Sequence, residues 1–389
     1  MLNFIYSTPT KVFFGKDTQK QVGKILRDYG YTKIMMQYGK SSIKKSGLYD
    51  EVVASLNENG VNFVEMGGVE PNPKLEFVKE AITLAKSESV ELVLAVGGGS
   101  VIDSCKATAL GVKYEGDVWD IFSGKHVPTD ALPTACILTH SAAGSEMSMS
   151  AVLTNLSLNM KKGCGTELNR CKFSILNPEL TYTVGKYQTA CGIVDMMSHT
   201  LERYFTVVPD TDLTDSISEA ILKSIVKAGL VAIDNPTDYE ARATLMWGSS
   251  LAHNGLTGCG RENFLAVHQL EHAVSGVFDE VPHGAGLAVL YPAWAKYVYK
   301  YNAKRFARLA RNVWGVVESN DEICALKGIE EMQNFFIKIG MPSRLSEFNI
   351  TKDSIEKFVE ICTQNGKRTI KSYIPLDKKE LTEIFELCL

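Results

Sequence analysis

The hydrophobic pattern of the sequence changes once, near residue 187, and this change limits the folds available to the chain. Before it, short apolar runs alternate with helical stretches; "VELVLAVGGGSVIDSCKATALGV" contains a strand, a glycine loop and a helix. After it, apolar residues recur only at three- and four-residue spacing, as in "ISEAILKSIVKAGLVAI". Strands that alternate with helices predict a parallel, mostly buried sheet. We therefore expect an α/β domain over residues 1–186 and an all-helical domain over residues 187–389.

The composition narrows the classes of partner and compartment. A chain of 389 residues is long enough for two domains. Its formal net charge of −4 leaves no basic excess for a nucleic-acid backbone. No apolar run reaches the ~18 residues of a membrane span, and the first residues lack the pattern of a signal peptide. Nine dispersed cysteines without a CxxC pair favour reduced thiols, and hence a cytoplasmic protein. The charge and the lack of a long apolar run predict that neither nucleic acid nor a membrane is a partner.

A run of three glycines, Gly97, Gly98 and Gly99, joins a predicted strand to a predicted helix. Glycine lets the backbone approach a ligand closely, and the N–H groups at a helix start favour an anion such as phosphate. The spacing is not GxGxxG, so the ordinary dinucleotide fingerprint is absent. A tight connection is the alternative interpretation, with Ser100 capping the helix and Asp103 in its first turn.

Histidine is scarce in this chain, yet three of its seven histidines lie within "HQLEHAVSGVFDEVPH". His268 and His272 are four positions apart on one side of a predicted helix, and His283 follows in a predicted loop. A second pair with the same spacing, Asp195 and His199, lies in "GIVDMMSHTLERYF". One carboxylate and several imidazoles suit iron or zinc, and five candidates for about four positions leave one histidine as a supporting group or proton carrier. The order HQLEH does not match the HExxH metalloprotease motif.

Taken together, these motifs point to one family. The chain resembles the iron-containing (group III) alcohol dehydrogenases, and most closely their NAD(P)H-dependent butanol dehydrogenase branch. The resemblance covers nearly the whole length and is carried by "PTKVFFGK", "GVEPNP", "AVGGGSVID", "AAGSEMS", "LNPELTYT", "GIVDMMSHTLERYF" and "HQLEHAVSG…HGAGLAVL". It implies a dinucleotide-binding α/β domain, an all-helical metal-binding domain of the dehydroquinate synthase-like fold, and a homodimer.

The resemblance also implies roles for individual residues. The implied metal ligands are Asp195, His199, His268 and His283. His272 matches a catalytic histidine near the nicotinamide. The implied cofactor-binding residues are Gly39, Lys40, Ser41, Ser42, Gly97, Gly98, Gly99, Ser100, Asp103, Thr139, Ser145 and Lys161. Candidate pocket residues near these motifs are His140, Ser148, His253 and Cys259.

Three positions depart from the pattern of the branch. The ribose loop reads "QYGKSS", where three glycines and a serine are usual, and His140 replaces an apolar residue. His268 and His283 are fifteen positions apart, where fourteen is usual. The ribose loop has no acidic residue before Asp50, and Lys40 and its neighbouring hydroxyls suit a 2′-phosphate. This loop therefore predicts a preference for NADP(H) over NAD(H).

The predicted chemistry is reversible hydride transfer between NAD(P)(H) and a primary alcohol or aldehyde such as butanol or butanal. Iron or zinc would act as a Lewis acid on the substrate oxygen. One alternative is a metal- and NAD-dependent lyase of the dehydroquinate synthase type, although few basic residues cluster near the predicted ligands. Another is a metallohydrolase, which would leave the glycine loop unexplained.

Overall fold

The computed structural model describes residues 1–389, which form two units. The α/β unit spans Ser7–Val184, and the helical unit combines Met1–Tyr6 with Gly185–Leu389. All eight strands lie in the α/β unit. The predicted fold class, an α/β part followed by an all-helical part, is confirmed. None of the helices has the length and apolar composition that are needed to cross a membrane.

Six parallel strands form the main sheet of the α/β unit, in the order β1-β8-β5-β4-β2-β3, and β6 and β7 form a separate antiparallel hairpin. The strands are β1 (Lys11–Phe14), β2 (Lys33–Tyr38), β3 (Asn62–Gly67), β4 (Leu92–Gly97), β5 (Thr134–Leu138), β6 (Ser150–Asn155), β7 (Met160–Gly165) and β8 (Phe173–Leu176). The helices are α1 (Val22–Asp28), α2 (Ser42–Lys45), α3 (Leu48–Glu58), α4 (Leu75–Ser87), α5 (Gly99–Val112) and α6 (Val118–Phe122).

The continuous apolar runs of the sequence become the central strands of this sheet. Every residue of β4 and of β5 is buried, as expected for parallel strands covered on both faces. The sequence pattern did not predict β1, β8 or the β6–β7 hairpin. The residues of β7 read "MKKGCG" and contain no apolar run that would indicate a strand. The apolar side chains that the hairpin buries come from β6 and include Ala151 and Leu153.

The helical unit contains nine α-helices. They are α7 (Lys186–Tyr204), α8 (Asp212–Asp234), α9 (Tyr239–His253), α10 (Ala266–Val277), α11 (His283–Val298), α12 (Ala303–Leu309), α13 (Asp321–Lys338), α14 (Ile355–Thr363) and α15 (Lys378–Glu386). Helix α7 is buried all round from residue 189 to residue 204, so it forms the centre of this unit. Its polar side chains are therefore buried as well and need partners.

Candidate metal centre and cofactor loops

The glycine loop lies where the strand order of the main sheet reverses. Strand β4 is bonded to β2 on one side and to β5 on the other, while β3 lies beyond β2. In open parallel sheets, ligands bind beyond the carboxyl ends of the strands at such a reversal. Gly39 follows β2 and Thr139 follows β5, while Gly97 to Ser100 span the end of β4 and the start of α5. The topology therefore brings three of the predicted cofactor loops to one edge of the sheet.

The three loop glycines have different reasons to be glycine. A methyl group on Gly97 would lie 2.5 Å from a methyl of Val101, and one on Gly98 would lie 3.2 Å from His140 Cβ. A methyl group on Gly99 would meet nothing closer than Ala143 Cβ at 3.9 Å, and none of the three has a positive φ. The fold itself does not require glycine at position 99, and an open approach to the helix start is what a bound diphosphate would need.

Two structural interpretations of the residues after the loop were wrong. Gly98, not Ser100, is the N-cap residue of α5. Asp103 lies beyond the first turn of α5. Its carboxylate accepts a hydrogen bond from the Ser145 hydroxyl at 2.6 Å and one from the Val152 N–H at 2.9 Å. Asp103 thus ties α5 to the segment that contains Ser145.

The remaining predicted cofactor residues lie around this framework. The Thr139 N–H donates to the carbonyl of Gly97 at 3.0 Å, which links the loop after β5 to the glycine loop. Ser145 begins a short 3₁₀ helix and is buried. Lys161 lies on β7, and its positive charge acts to lower the pKa of the Asp103 carboxyl.

The predicted ribose loop has an acidic neighbour that its own sequence does not contain. The Lys40 Nζ lies 2.7 Å from a carboxylate oxygen of Glu70, in the loop that follows β3, and both side chains are exposed. Parallel pairing of β2 with β3 brings the two loops together, since Tyr38 is paired with Gly67. The sequence argument considered only the acidic residues between β2 and Asp50, and therefore missed this carboxylate.

A cluster of one carboxylate and three imidazoles lies in the helical unit. Asp195 Oδ1 lies 3.4 Å from His199 Nε2, 3.6 Å from His268 Nε2 and 3.8 Å from His283 Nε2. Asp195 and His199 come from α7, His268 from α10 and His283 from α11. The fifteen-residue spacing between the last two histidines is compatible with this convergence. His283 was expected in a loop, but it is the first residue of α11.

The donor atoms of this cluster fit a divalent cation. Asp195 Oδ1 and His268 Nε2 are buried and have no hydrogen-bond partner within the protein. Leaving such atoms unsatisfied costs about 1–3 kcal/mol each, and a bound cation would satisfy both. Burial and the neighbouring imidazoles lower the pKa of His199 well below its usual value, which favours the neutral ring that a metal ligand needs.

Two buried glutamates pair with the Nδ1 atoms of two of these histidines, and the sequence analysis missed both glutamates. A carboxylate oxygen of Glu202, on α7, pairs with His268 Nδ1, and the other accepts from the Val267 N–H at 2.6 Å. Burial lowers the pKa of His268, but Glu202 and Asp195 outweigh this effect and raise it to about 9. A cation that bound to Nε2 would therefore replace a proton there. A carboxylate on Nδ1 fixes the ring so that Nε2 points at the metal position.

Glu271 plays the same part for His283. Its carboxylate pairs with His283 Nδ1, and the side chain is completely buried on α10. The residue after this histidine, Gly284, lies against the main chain of α7; a methyl group there would be 2.2 Å from the Cys191 carbonyl oxygen. A glycine at this position lets the start of α11 approach α7 one turn before Asp195. No sequence motif distinguishes the two glutamates from ordinary helix carboxylates.

Two further histidines lie next to the cluster. His272 is half-buried, and its ring centroid is 5.6 Å from that of His283 and 6.5 Å from that of His268. His253, at the end of α9, stacks on His199 with ring centroids 3.8 Å apart. The candidate pocket residue Cys259 also lies in the helical unit, where its carbonyl accepts from Thr214, while Ser148 and His140 lie in the α/β unit.

Comparison with known proteins gives the same classification as the site. The iron-containing alcohol dehydrogenase family model matches residues 9–178, and the model of the C-terminal part of that family matches residues 189–389. NADH-dependent butanol dehydrogenase A of Clostridium acetobutylicum is 43% identical over 388 residues, which is 99% of both chains. The NADPH-dependent aldehyde reductase YqhD of Escherichia coli is 33% identical over 374 residues, which is 94% of both.

A solved structure is similarly close. The crystal structure of an NADH-dependent butanol dehydrogenase A from Thermotoga maritima has a TM-score of 0.96 and 40% identity, over 100% of this chain and 99% of that one. The chain belongs to the iron-containing alcohol dehydrogenase family. The predicted family and the predicted class, a metal-dependent alcohol dehydrogenase that uses a nicotinamide cofactor, are confirmed.

Proposed function

We propose that this enzyme catalyses reversible hydride transfer between a nicotinamide cofactor and short or medium primary alcohols and aldehydes, with aldehyde reduction as the favoured direction in the cell. The observation that carries the proposal is the buried cluster in which one carboxylate oxygen faces the Nε2 atoms of three histidines. Relatives that align over nearly the whole chain include butanol dehydrogenases and an aldehyde reductase.

In this proposal the metal ligands are Asp195, His199, His268 and His283. A divalent iron or zinc ion held there would polarise the oxygen of the substrate. Glu202 and Glu271 keep the rings of His268 and His283 oriented, because each accepts the Nδ1 proton of one ring. The glycine loop and the residues around it hold the diphosphate and nicotinamide portions of the cofactor.

His272 is the proposed proton carrier. Its ring lies beside His283 and is half-buried, so it has access to solvent that the buried His268 lacks. The variant His272→Ala should keep its metal and change the pH profile of turnover. Loss of metal from His272→Ala, together with retention of metal in His268→Ala, would move the ligand assignment by one helical turn.

For the choice of cofactor, two observations oppose the preference for NADP(H) predicted from the ribose loop. Glu70 lies against Lys40, so the lysine charge is already paired. Four relatives that are at least 40% identical have "NADH-dependent butanol dehydrogenase" in their names, while YqhD is named as NADPH-dependent. We therefore propose NADH as the preferred cofactor, with Glu70 as the carboxylate that repels a 2′-phosphate.

The cofactor proposal is tested by titrating the purified protein with NADH and NADPH. Glu70→Gln should improve NADPH binding relative to NADH, whereas Lys40→Ala should weaken NADPH binding further. An unaltered preference in Glu70→Gln would exclude this carboxylate as the determinant. A wild-type preference for NADPH would return the choice to the prediction made from Lys40.

The main proposal is tested with protein loaded with Fe²⁺ or Zn²⁺ and a panel of aldehydes and alcohols. Oxidation of NADH that depends on butanal and on the metal supports it. No cofactor-dependent turnover of any short or medium aldehyde would refute it. Release of phosphate from the dehydroquinate synthase substrate would identify the lyase alternative.

We also propose that the enzyme is a cytoplasmic homodimer. The segment Met1–Tyr6 presents apolar side chains to solvent: Leu2 is 50%, Phe4 51% and Ile5 99% exposed. Strand β1, a few residues later, is an edge strand of the main sheet. Exposed apolar segments and open sheet edges are each features of protein interfaces. Light scattering should give a dimer for the wild type and a monomer for Ile5→Asp, and cell fractionation tests the compartment.

A further inference from the structure

Helix α5 carries a buried lysine that the proposed reaction does not use. The side chain of Lys106 is completely buried, two turns after the glycine loop. A buried ammonium is costly unless all three of its donors are satisfied. Its Nζ donates to the carbonyl oxygens of Ser145 at 2.7 Å, Ser148 at 3.1 Å and Ser150 at 2.8 Å. Three main-chain carbonyls of one short segment thus converge on a single ammonium group.

Asp103 holds the same segment from the same side of the helix. Asp103 and Lys106 are three positions apart, so they are neighbours on one face of α5. The carboxylate of Asp103 accepts from the Ser145 hydroxyl and from the Val152 N–H. Desolvation raises the pKa of this carboxyl, and the ammonium of Lys106 acts in the opposite direction. Lys106 and Asp103 together therefore hold residues 145–152 by hydrogen bonds to three carbonyls, to the hydroxyls of Ser145 and Ser148 and to the Val152 N–H.

The hydrogen bonds of Asp103 and Lys106 connect two parts of the proposed cofactor site. Helix α5 begins at Gly99, so its position fixes the start of the helix where the diphosphate is proposed to bind. Residues 145–152 contain Ser145, a proposed cofactor contact, and the start of the hairpin that carries Lys161.

We propose that Asp103 and Lys106 are positioning residues for the nicotinamide cofactor, which act through Ser145 and its segment and do not touch the cofactor themselves. This inference rests on the proposed function, because it assumes that the cofactor occupies the glycine loop. It changes the role expected for Asp103 from contact to support. Pre-organised sites lose affinity when the residues behind the contacts are removed.

The test compares Lys106→Met and Asp103→Asn with a matched control on the same helix. Thr108→Val removes a buried hydrogen bond between α5 and Gln37 on β2, of 3.0 Å, without touching residues 145–152. Each variant is titrated with NADH by fluorescence, and its metal content, thermal stability and kinetic constants are measured. The Kd for NADH should rise ~10- to 100-fold in Lys106→Met, the range that is found when residues behind metal ligands are removed, and less in Asp103→Asn.

The metal content of both variants should match the wild type, and the KM for NADH should rise more than kcat falls. Thr108→Val should lose thermal stability yet keep its Kd. If Lys106→Met is folded and binds NADH within twofold of the wild type, the inference is wrong. The hydrogen bonds of Asp103 and Lys106 to residues 145–152 would then serve stability alone. If Lys106→Met does not fold, Asp103→Asn against Thr108→Val decides in the same way. Failure of the wild type itself to bind NADH would instead refute the proposed function.

The double variant Asp103→Asn/Lys106→Met sharpens the result. If the two residues act as one unit, the loss of NADH affinity in the double variant will be smaller than the product of the two single losses. If the two single losses of NADH affinity instead multiply in the double variant, the two residues support different parts of the loop. That result would overturn the claim that they position one segment together.

Discussion

The glycine-loop region and the histidine cluster differ in how their buried polar atoms are satisfied. In the α/β unit, the ammonium of Lys106 and the carboxylate of Asp103 have protein partners for their donors and acceptors. In the helical unit, Asp195 Oδ1 and His268 Nε2 are buried with no hydrogen-bond partner. The two charged groups of the first region are satisfied within the protein, while a bound cation would satisfy the two atoms of the second. Damage to the two regions should therefore separate cofactor binding from metal binding.

The strongest test of this difference is Asp195→Ala. Asp195 Oδ1 lies within 4 Å of the Nε2 atoms of all three histidines, so its removal takes away the carboxylate ligand that they share. Metal content should fall close to zero and turnover should be abolished, well beyond the ~10- to 100-fold that loss of a supporting partner costs. NADH binding, measured by fluorescence, should stay within a few-fold of the wild type. Loss of NADH affinity to the same degree as metal would contradict the separation.

Gly284→Ala should have the next largest effect. The new methyl group would lie 2.2 Å from the Cys191 carbonyl oxygen, and a main-chain atom cannot turn aside as a side chain can. We expect ~1–3 kcal/mol of lost stability together with weaker metal binding, as α11 shifts away from α7. Gly185→Ala is the matched control, since a methyl group there meets nothing within 4 Å. Equal melting temperatures and metal contents in the two variants would show that the helices tolerate the contact.

Glu271→Gln and Glu202→Gln should weaken the site without emptying it. An amide is a poorer partner than a carboxylate for the Nδ1–H of His283 or His268, so the metal affinity should fall ~10- to 100-fold. Competition with a chelator measures this affinity, and the absorption spectrum of the Co²⁺-loaded protein reports the ligand geometry. The exposed Glu330, on α13, provides the control Glu330→Gln. A metal affinity equal to that of the control would leave the two glutamates with a role in packing alone.

The smallest effect on the fold should come from Gly99→Ala. Position 99 has room for a methyl group and lies at the first position of α5, so stability should be unchanged or slightly improved. The methyl group would instead obstruct the approach of a diphosphate to the helix start, and NADH affinity should fall about tenfold. Metal content should not change. An unchanged NADH affinity would mean that the diphosphate does not bind at this loop.

The sequence predicted the features that depend on local pattern. The buried strands around Gly97, the change to helices near residue 187 and the two helical pairs that begin at Asp195 and His268 all leave a periodic signal. The shared position of Asp195, His199, His268 and His283 near one point depends on how α7, α10 and α11 pack. For that, the resemblance to a known family was needed.

The residues that the sequence analysis missed act across long separations. Glu202 contacts a ring 66 positions later, and Lys106 bonds to a segment about 40 positions away. Glu70 reaches Lys40 only because β2 and β3 pair in parallel. A carboxylate or lysine on a helix has the same local pattern whether it is exposed or buried, so its neighbours in space decide its role.

The contact between Gly284 and Cys191 has a consequence for ions of different radius. Main chain lies against main chain there, so the distance from α7 to the start of α11 cannot shrink, and the side of the cluster formed by Asp195 and His283 is stiff. Helix α10 is held to α7 near His268 by the side chain of Glu202, which has rotatable bonds. When one divalent ion is exchanged for a larger or smaller one, the adjustment should therefore appear at His268, and the Asp195–His283 distance should remain the same.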